Sequence, residues 1–235
     1  SEFARRDVHY HIQYLAASIG CAQLVLFVDY VAQVRTMFSE IGLGTGIVDQ
    51  TLEAIRSVLI EMVDSNSFEI IDRYLTEASR ATPAVPADAC YITGGAPVDD
   101  LARAFLTALL RSDRAGAERL VMEAIDLGLD VREAYSEVFE RTLREIGRLW
   151  MINRISVADE HYCTACIQWM MSRLYDRFPR SDRKMGTVVA ACAASEQHEV
   201  GLRMVCDSLE MAGWTTFYLG ANVPSRALVK AVREK

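Results

Sequence analysis

The sequence predicts a mostly α-helical chain that ends in the start of a doubly wound α/β domain. Apolar residues recur at helical spacing through residues 7–80 and again through 98–178. Residues 81–97 separate these two sets and hold three of the five prolines. After Gly186 the period changes to short apolar runs alternating with helical pattern, as β-α-β-α units require. The composition, 51% apolar and 24% charged over 235 residues, is that of folded globular chains large enough for more than one domain.

The first set reads as an N-terminal helical domain of four helices over residues 1–80. Val8, Ile12, Leu15 and Ile19 form one stripe, a bend is expected at Gly20, and Leu24, Phe27, Val31, Val34 and Phe38 form the next. The Gly42–Gly46 segment breaks the pattern, with Thr45 or Asp49 as the expected cap of a third helix through Leu52, Ile55 and Leu59. Ser65-Asn66-Ser67 is expected to end that helix before Ile70, Ile71, Tyr74 and Leu75. His9 and His11 fall on opposite sides of their helix and are assigned no role.

The second set, residues 98–178, reads as a four-helix bundle with short antiparallel connections. Leu101, Phe105, Leu106 and Leu109 or Leu110 share a face, Ser112-Asp113 starts a second helix, and Gly128 stops it. Asp130 opens a long helix to Trp150 whose expected buried stripe is Ala134, Val138, Leu143, Ile146 and Leu149. Ser156 with Asp159 resembles a capping box for the last helix, which runs to Phe178-Pro179. Trp169, Met170 and Met171 read as core, and Cys163 and Cys166 as buried thiols rather than zinc ligands, since no second Cys/His pair stands near them.

In residues 186–235, Thr187–Cys192 is a continuous apolar run fit for a buried parallel strand. A helix through Val200, Met204, Val205, Leu209 and Met211 follows, then a second strand, Trp214–Leu219, and a last helix after Pro224. Two parallel strands leave a sheet edge uncovered, so further strands are expected beyond Lys235.

Charge and cysteine usage narrow the function. Residues 1–80 carry 6 basic and 11 acidic groups, and no stretch forms the dense basic stripe that phosphate neutralisation needs. Direct nucleic-acid binding by this chain is therefore not expected. The six cysteines follow no framework pattern, which points to a reducing cytoplasm. The longest uncharged run, Val8–Val28, holds two His, two Gln, Ser and Gly, so no membrane span is expected.

The chemistry-bearing residues stand at two places. Glu196-Gln197-His198-Glu199-Val200-Gly201 follows the first strand at its carboxyl end, where open α/β sheets take ligands. A His there is sited to coordinate a metal, with the carboxylate two residues earlier holding its other ring nitrogen, or else to serve as a solvated, helix-capping residue. Gly201 leaves room for something bulky at the helix start. Upstream, nine residues separate Trp150 from Glu160-His161. Trp150 at a helix end also reads as core, and a Glu in a first helical turn is favoured by the helix dipole alone.

Glu-x-His-x-x-Gly after a first strand, followed by Trp-Thr-Thr-Phe-Tyr-Leu-Gly-Ala-Asn-Val-Pro, resembles the cobalamin-binding domain family, whose usual signature has Asp where Glu196 stands. The resemblance implies a truncated Rossmann-like (flavodoxin-like) domain at 186–235 beneath a four-helix cap at 98–178. It implies His198 as the lower axial ligand of cobalt, in place of the cofactor's own benzimidazole, with Glu196 bonded to it and Gly201 beside it. The segment Glu145–Trp150 with Arg154–His161 resembles the cap of light-sensing adenosylcobalamin proteins. There Trp150 is implied to cover the upper axial group, Glu160 to contact the adenosyl ribose, and His161 to take the cobalt after photolysis. The family's later Ser-x-Leu and Gly-Gly elements fall beyond the 34 residues that follow Gly201.

The expected function is thus a cobalamin-binding sensory or regulatory module, with adenosylcobalamin the favoured cofactor and methylcobalamin a second. Similar modules also bind a bilin, for which no motif stands here. The expected partner is a protein, or a second copy of the chain, met through the helical domains. The alternatives are a corrinoid carrier for methyl transfer and a cofactor-free interaction protein.

Overall fold

The computed structural model describes residues 2–83, 90–179, 185–193 and 196–235. Residues 84–89, in the middle of the expected linker, and 194–195, just ahead of Glu196, lie outside the described residues. The chain divides into two compact units: residues 1–89 with 147–156, and residues 90–146 with 157–235.

The first unit begins with four helices, α1 (Glu2–Gly20), α2 (Leu24–Glu40), α3 (Gly46–Met62) and α4 (Ser65–Ser79). Phe27, Val31, Val48, Leu52, Tyr74 and Leu75 are buried at its centre, on the stripes the helical period marks out. His11 is buried against the Tyr30 hydroxyl, 3.1 Å away, while His9 is exposed, as their opposite placement predicts. Two capping expectations change. Neither Thr45 nor Asp49 caps α3 through its side chain, because the Asp49 carboxylate is taken by the buried Arg35 guanidinium at 2.5 and 3.2 Å. Ser65-Asn66-Ser67 does not end α3 but opens α4, since Asp64 accepts the Asn66 and Ser67 amides at 3.0 and 3.1 Å.

The second unit holds α5 (Pro97–Leu110), α6 (Arg114–Asp126), α7 (Val131–Glu133), a π-helical stretch (Ala134–Glu140), most of α8 (Arg141–Met151), α9 (Val157–Leu174) and a 3-10 turn (Tyr175–Arg177). Asp130 caps α7, accepting the Arg132 amide at 2.7 Å. The long helix corrects the expected stripe. Thr142 and Glu145, four and seven residues after the buried Val138, turn inward beside Ile146, while Leu143 and Leu149 are only partly buried. Trp169 is a second correction. It is 36% exposed, with the Arg114 and Arg173 guanidinium carbons 5.1 and 5.5 Å from its ring centre. Three consecutive helical residues point about 100° apart and cannot all face one core; Met170 and Met171 are buried, and Trp169 turns outward.

The same unit holds β1 (Thr187–Ala191), α10 (Glu199–Met211), β2 (Thr215–Gly220) and α11 (Ser225–Glu234). β1 and β2 pair in parallel from Thr187 opposite Thr215, and the register slips at the end so that Ala190 faces Tyr218 but Ala191 faces Gly220. Leu219 is the extra residue of β2. No helix among the described residues is long and apolar enough to cross a membrane.

Polar ties join α10 to the helices before it. The Arg132 guanidinium donates to the Met211 carbonyl at 2.9 Å, and Arg203 donates to the Gln168 carbonyl at 3.2 Å and the Ser172 hydroxyl at 2.7 Å. Between them the buried Tyr135 hydroxyl donates to the buried Asp207 carboxylate at 2.8 Å. Burial pushes the Asp207 carboxyl above its ordinary value, against the opposing pull of Tyr135 and Arg203. A carboxyl whose pKa is higher folded than unfolded subtracts stability as the pH rises through that interval. Tyr135→Phe removes the donor and leaves a buried charge short of a bond. It is expected to cost about 2 kcal/mol at neutral pH, and less in acid as Asp207 takes up a proton, read from urea unfolding of the second unit at several pH values.

Candidate functional site

The carboxyl end of β1 runs into the loop that carries the first candidate group. Glu196 sits at the turn, and its carboxylate accepts both the backbone amide of His198, at 2.7 Å, and the ring Nδ1–H of His198, at 2.5 Å. These two bonds hold the Glu196 carboxyl below its usual range, the His198 amide first among the causes. The imidazole is fixed through Nδ1 while 92% of its side chain stands in solvent, which leaves Nε2 as the nitrogen open to an incoming ligand. His198 is also the residue directly before α10. Gly201, in the first turn of that helix, is exposed, and a Cβ there would meet nothing within 4 Å.

The second candidate group lies in the first turns of α9. Glu160 accepts the His161 Nδ1–H at 2.5 Å through one carboxylate oxygen and the Thr164 hydroxyl at 2.9 Å through the other. His161 is 76% exposed at its side chain and Glu160 27%. Both candidate histidines therefore have one ring nitrogen on a neighbouring carboxylate and the rest of the ring outward. Trp150 belongs to the first unit, at the end of α8, and is 40% exposed rather than core. The helix closes there on Asn153, at φ +55°: the Arg154 amide donates to the Leu149 carbonyl at 2.8 Å and the Asn153 amide to the Trp150 carbonyl at 2.9 Å.

The donor set suits a metal already held by another scaffold. Among the described residues no three His, Cys, Asp or Glu side chains converge, so the side chains do not build a metal cage of their own. Cys163 and Cys166 are buried, and burial pushes the Cys163 thiol up to about 11. A single exposed imidazole backed by a carboxylate instead offers one axial ligand of fixed tautomer, which is what a metal in a planar macrocycle requires.

Gln197 and Glu199 stand at unspecified positions of Glu-x-His-x-x-Gly. Gln197 and Asn222 exchange amide hydrogen bonds at 3.2 and 3.3 Å, and Glu199 accepts the Ala221 amide at 3.1 Å. The flanks of His198 are thereby tied to the loop after β2.

The family described as B12 binding domain matches residues 101–175, which run from α5 to the 3-10 turn. The HTH-type transcriptional repressor CarH of Myxococcus xanthus is 29% identical over 112 residues, 48% of this chain and 37% of its own length. The HTH-type transcriptional repressor CarA of the same organism is 33% identical over 112 residues, 46% of this chain and 35% of its own. The chain thus spans little more than a third of each of these relatives. Among solved structures, the methanol:cobalamin methyltransferase complex MtaBC of Methanosarcina barkeri aligns with a TM-score of 0.39 and 16% identity, over 76% of this chain and 64% of that one. Through residues 101–175 the chain is similar to the B12 binding domain family.

Proposed function

We propose that the chain is a light-responsive regulatory module that binds adenosylcobalamin with its own base displaced and His198 as the lower axial ligand. The observation that carries this reading is the Glu196–His198 pair at the end of β1, with Nδ1 held and Nε2 open. The ligand's contribution, when bound, is a cobalt–carbon bond that green light cleaves. The rest is done by the chain. Glu196 keeps the imidazole in one tautomer. Glu160 would accept ribose hydroxyls, and its hold on His161 Nδ1 leaves that ring's other nitrogen open as a ligand. Trp150 is assigned the upper axial group by its place in the Trp…Glu-His motif. The output is a changed protein contact made by the helical residues 1–80, as befits a relative of transcriptional repressors.

Dark titrations with adenosylcobalamin test the lower ligand. His198→Ala is expected to change the absorption spectrum of the bound cofactor, and Glu196→Gln to weaken binding by about tenfold. An unchanged spectrum in the first variant removes His198 from the cobalt.

Sensor and methyl carrier part at the upper face, since a carrier must let a partner reach it. Trp150→Ala is expected to erase a wild-type preference for adenosylcobalamin over methylcobalamin, and Glu160→Gln to reduce it. His161→Ala is expected to bind normally in the dark but to give a photoproduct with water in place of nitrogen. Affinities by titration, then spectra before and after green light, are the measurements. A wild type that prefers methylcobalamin, or a Trp150→Ala variant that alters neither affinity, makes the protein a carrier instead.

A further inference from the structure

The loop that bears His198 is tied to the loop after β2 by contacts that leave His198 and Glu196 untouched. The Glu199 carboxylate accepts the Ala221 amide at 3.1 Å, and the Glu199 carbonyl accepts the Tyr218 hydroxyl at 3.4 Å. The exposed Gln197 and Asn222 amides face each other with two reciprocal bonds, at 3.2 and 3.3 Å. The backbone closes the same seam, since the Cys192 amide donates to the Gly220 carbonyl at 3.0 Å.

Gly220 shows how specific this arrangement is. It has φ +72°, a region that L side chains enter at a cost, and a Cβ placed on it would stand 2.8 Å from the Glu199 carboxylate oxygen. The glycine therefore does two things: it turns the chain, and it vacates the space through which Glu199 reaches the Ala221 amide. The register slip at Leu219 is the third element, since it brings Gly220 rather than Leu219 opposite Ala191.

We infer that Glu199, Gln197 and Gly220 are positioning residues for His198: they clamp its loop to the loop after β2, so that the imidazole is presented in one orientation before any ligand arrives. The inference rests on the reading of His198 as the lower axial ligand and adds what fixes it. Glu196 sets the ring's tautomer; Glu199 and Gln197 set where the ring's backbone stands. A loop ordered in advance loses less freedom on binding, so loosening it lowers affinity without removing any group that touches the ligand.

The test compares wild type with Glu199→Ala, Glu199→Gln, Gln197→Ala and Gly220→Ala, with His198→Ala as the spectral reference for a cobalt that lacks the histidine. Glu199→Ala and Gly220→Ala are expected to bind adenosylcobalamin about 10- to 100-fold more weakly, with spectra moved toward the His198→Ala spectrum. Glu199→Gln keeps an oxygen acceptor for the Ala221 amide and is expected to stay near wild type. Gln197→Ala, a change on the surface that leaves the core intact, is expected to give a smaller step in the same direction. In the ligand-free protein, hydrogen exchange at the Ala221 amide is expected to quicken in Glu199→Ala and Gly220→Ala and not in Glu199→Gln. If wild type and His198→Ala give the same spectrum, the lower-ligand reading fails and the positioning role falls with it. If they differ while Glu199→Ala or Gly220→Ala keeps wild-type affinity and spectrum, the positioning role alone is overturned. A Glu199→Gln variant as weak as Glu199→Ala also overturns it, because the bond to Ala221 would then not be what matters.

Discussion

The buried Asp207 carboxylate is the constraint on which the second unit turns. It is 8% exposed and lies on the face of α10 that meets the preceding helices, held by the Tyr135 hydroxyl at 2.8 Å. A charge so placed is costly unless bonded, and that cost makes the contact specific: α10 has one seat in which Asp207 is satisfied. Arg203, one turn earlier, reaches Gln168 and Ser172 on α9, and Arg132 reaches the last carbonyl of α10. The helix is thus pinned at both ends and in the middle.

Both candidate histidines inherit their placement from this seam. His198 stands five residues before Arg203, and His161 seven residues before Gln168. At the α-helical rise these are distances of about 8 and 10 Å along stiff rods. A movement of α10 against α9 therefore moves the two imidazoles relative to each other.

Much of this was legible in the sequence, for identifiable reasons. The Glu196–His198 contact lies within three consecutive residues, so local backbone geometry suffices to make it. The β1–α10–β2 unit announces itself by a change of period at Gly186. The exposure of His9 against the burial of His11 follows from helical phase. What escaped depends on offsets that no local pattern carries. The Glu199–Ala221 bond lies just past the extra residue of β2 at Leu219, and a pairing slip of one residue leaves no mark in composition. Thr142 and Glu145 are buried in step with Val138, but polar side chains leave no apolar mark in the pattern, and their apolar neighbour Leu143 is only partly buried. Trp169 was misread as core because size and apolarity outweighed phase; two arginines cover its ring faces instead. Asp207 had a weak signal, a carboxylate beside Cys206 on the buried side of a helix, but only the fold supplies its phenol.

The proposed role of His198 as lower ligand of cobalt is open to electron paramagnetic resonance of the cobalt(II) form of the cofactor bound to protein labelled with nitrogen-15 histidine. A nitrogen-15 ligand splits each cobalt line into a doublet, whereas the unlabelled base of the cofactor splits it into a triplet. The account predicts doublets in the wild type that disappear in His198→Ala. Triplets in the labelled wild type would mean that the cofactor keeps its own base, and would contradict it.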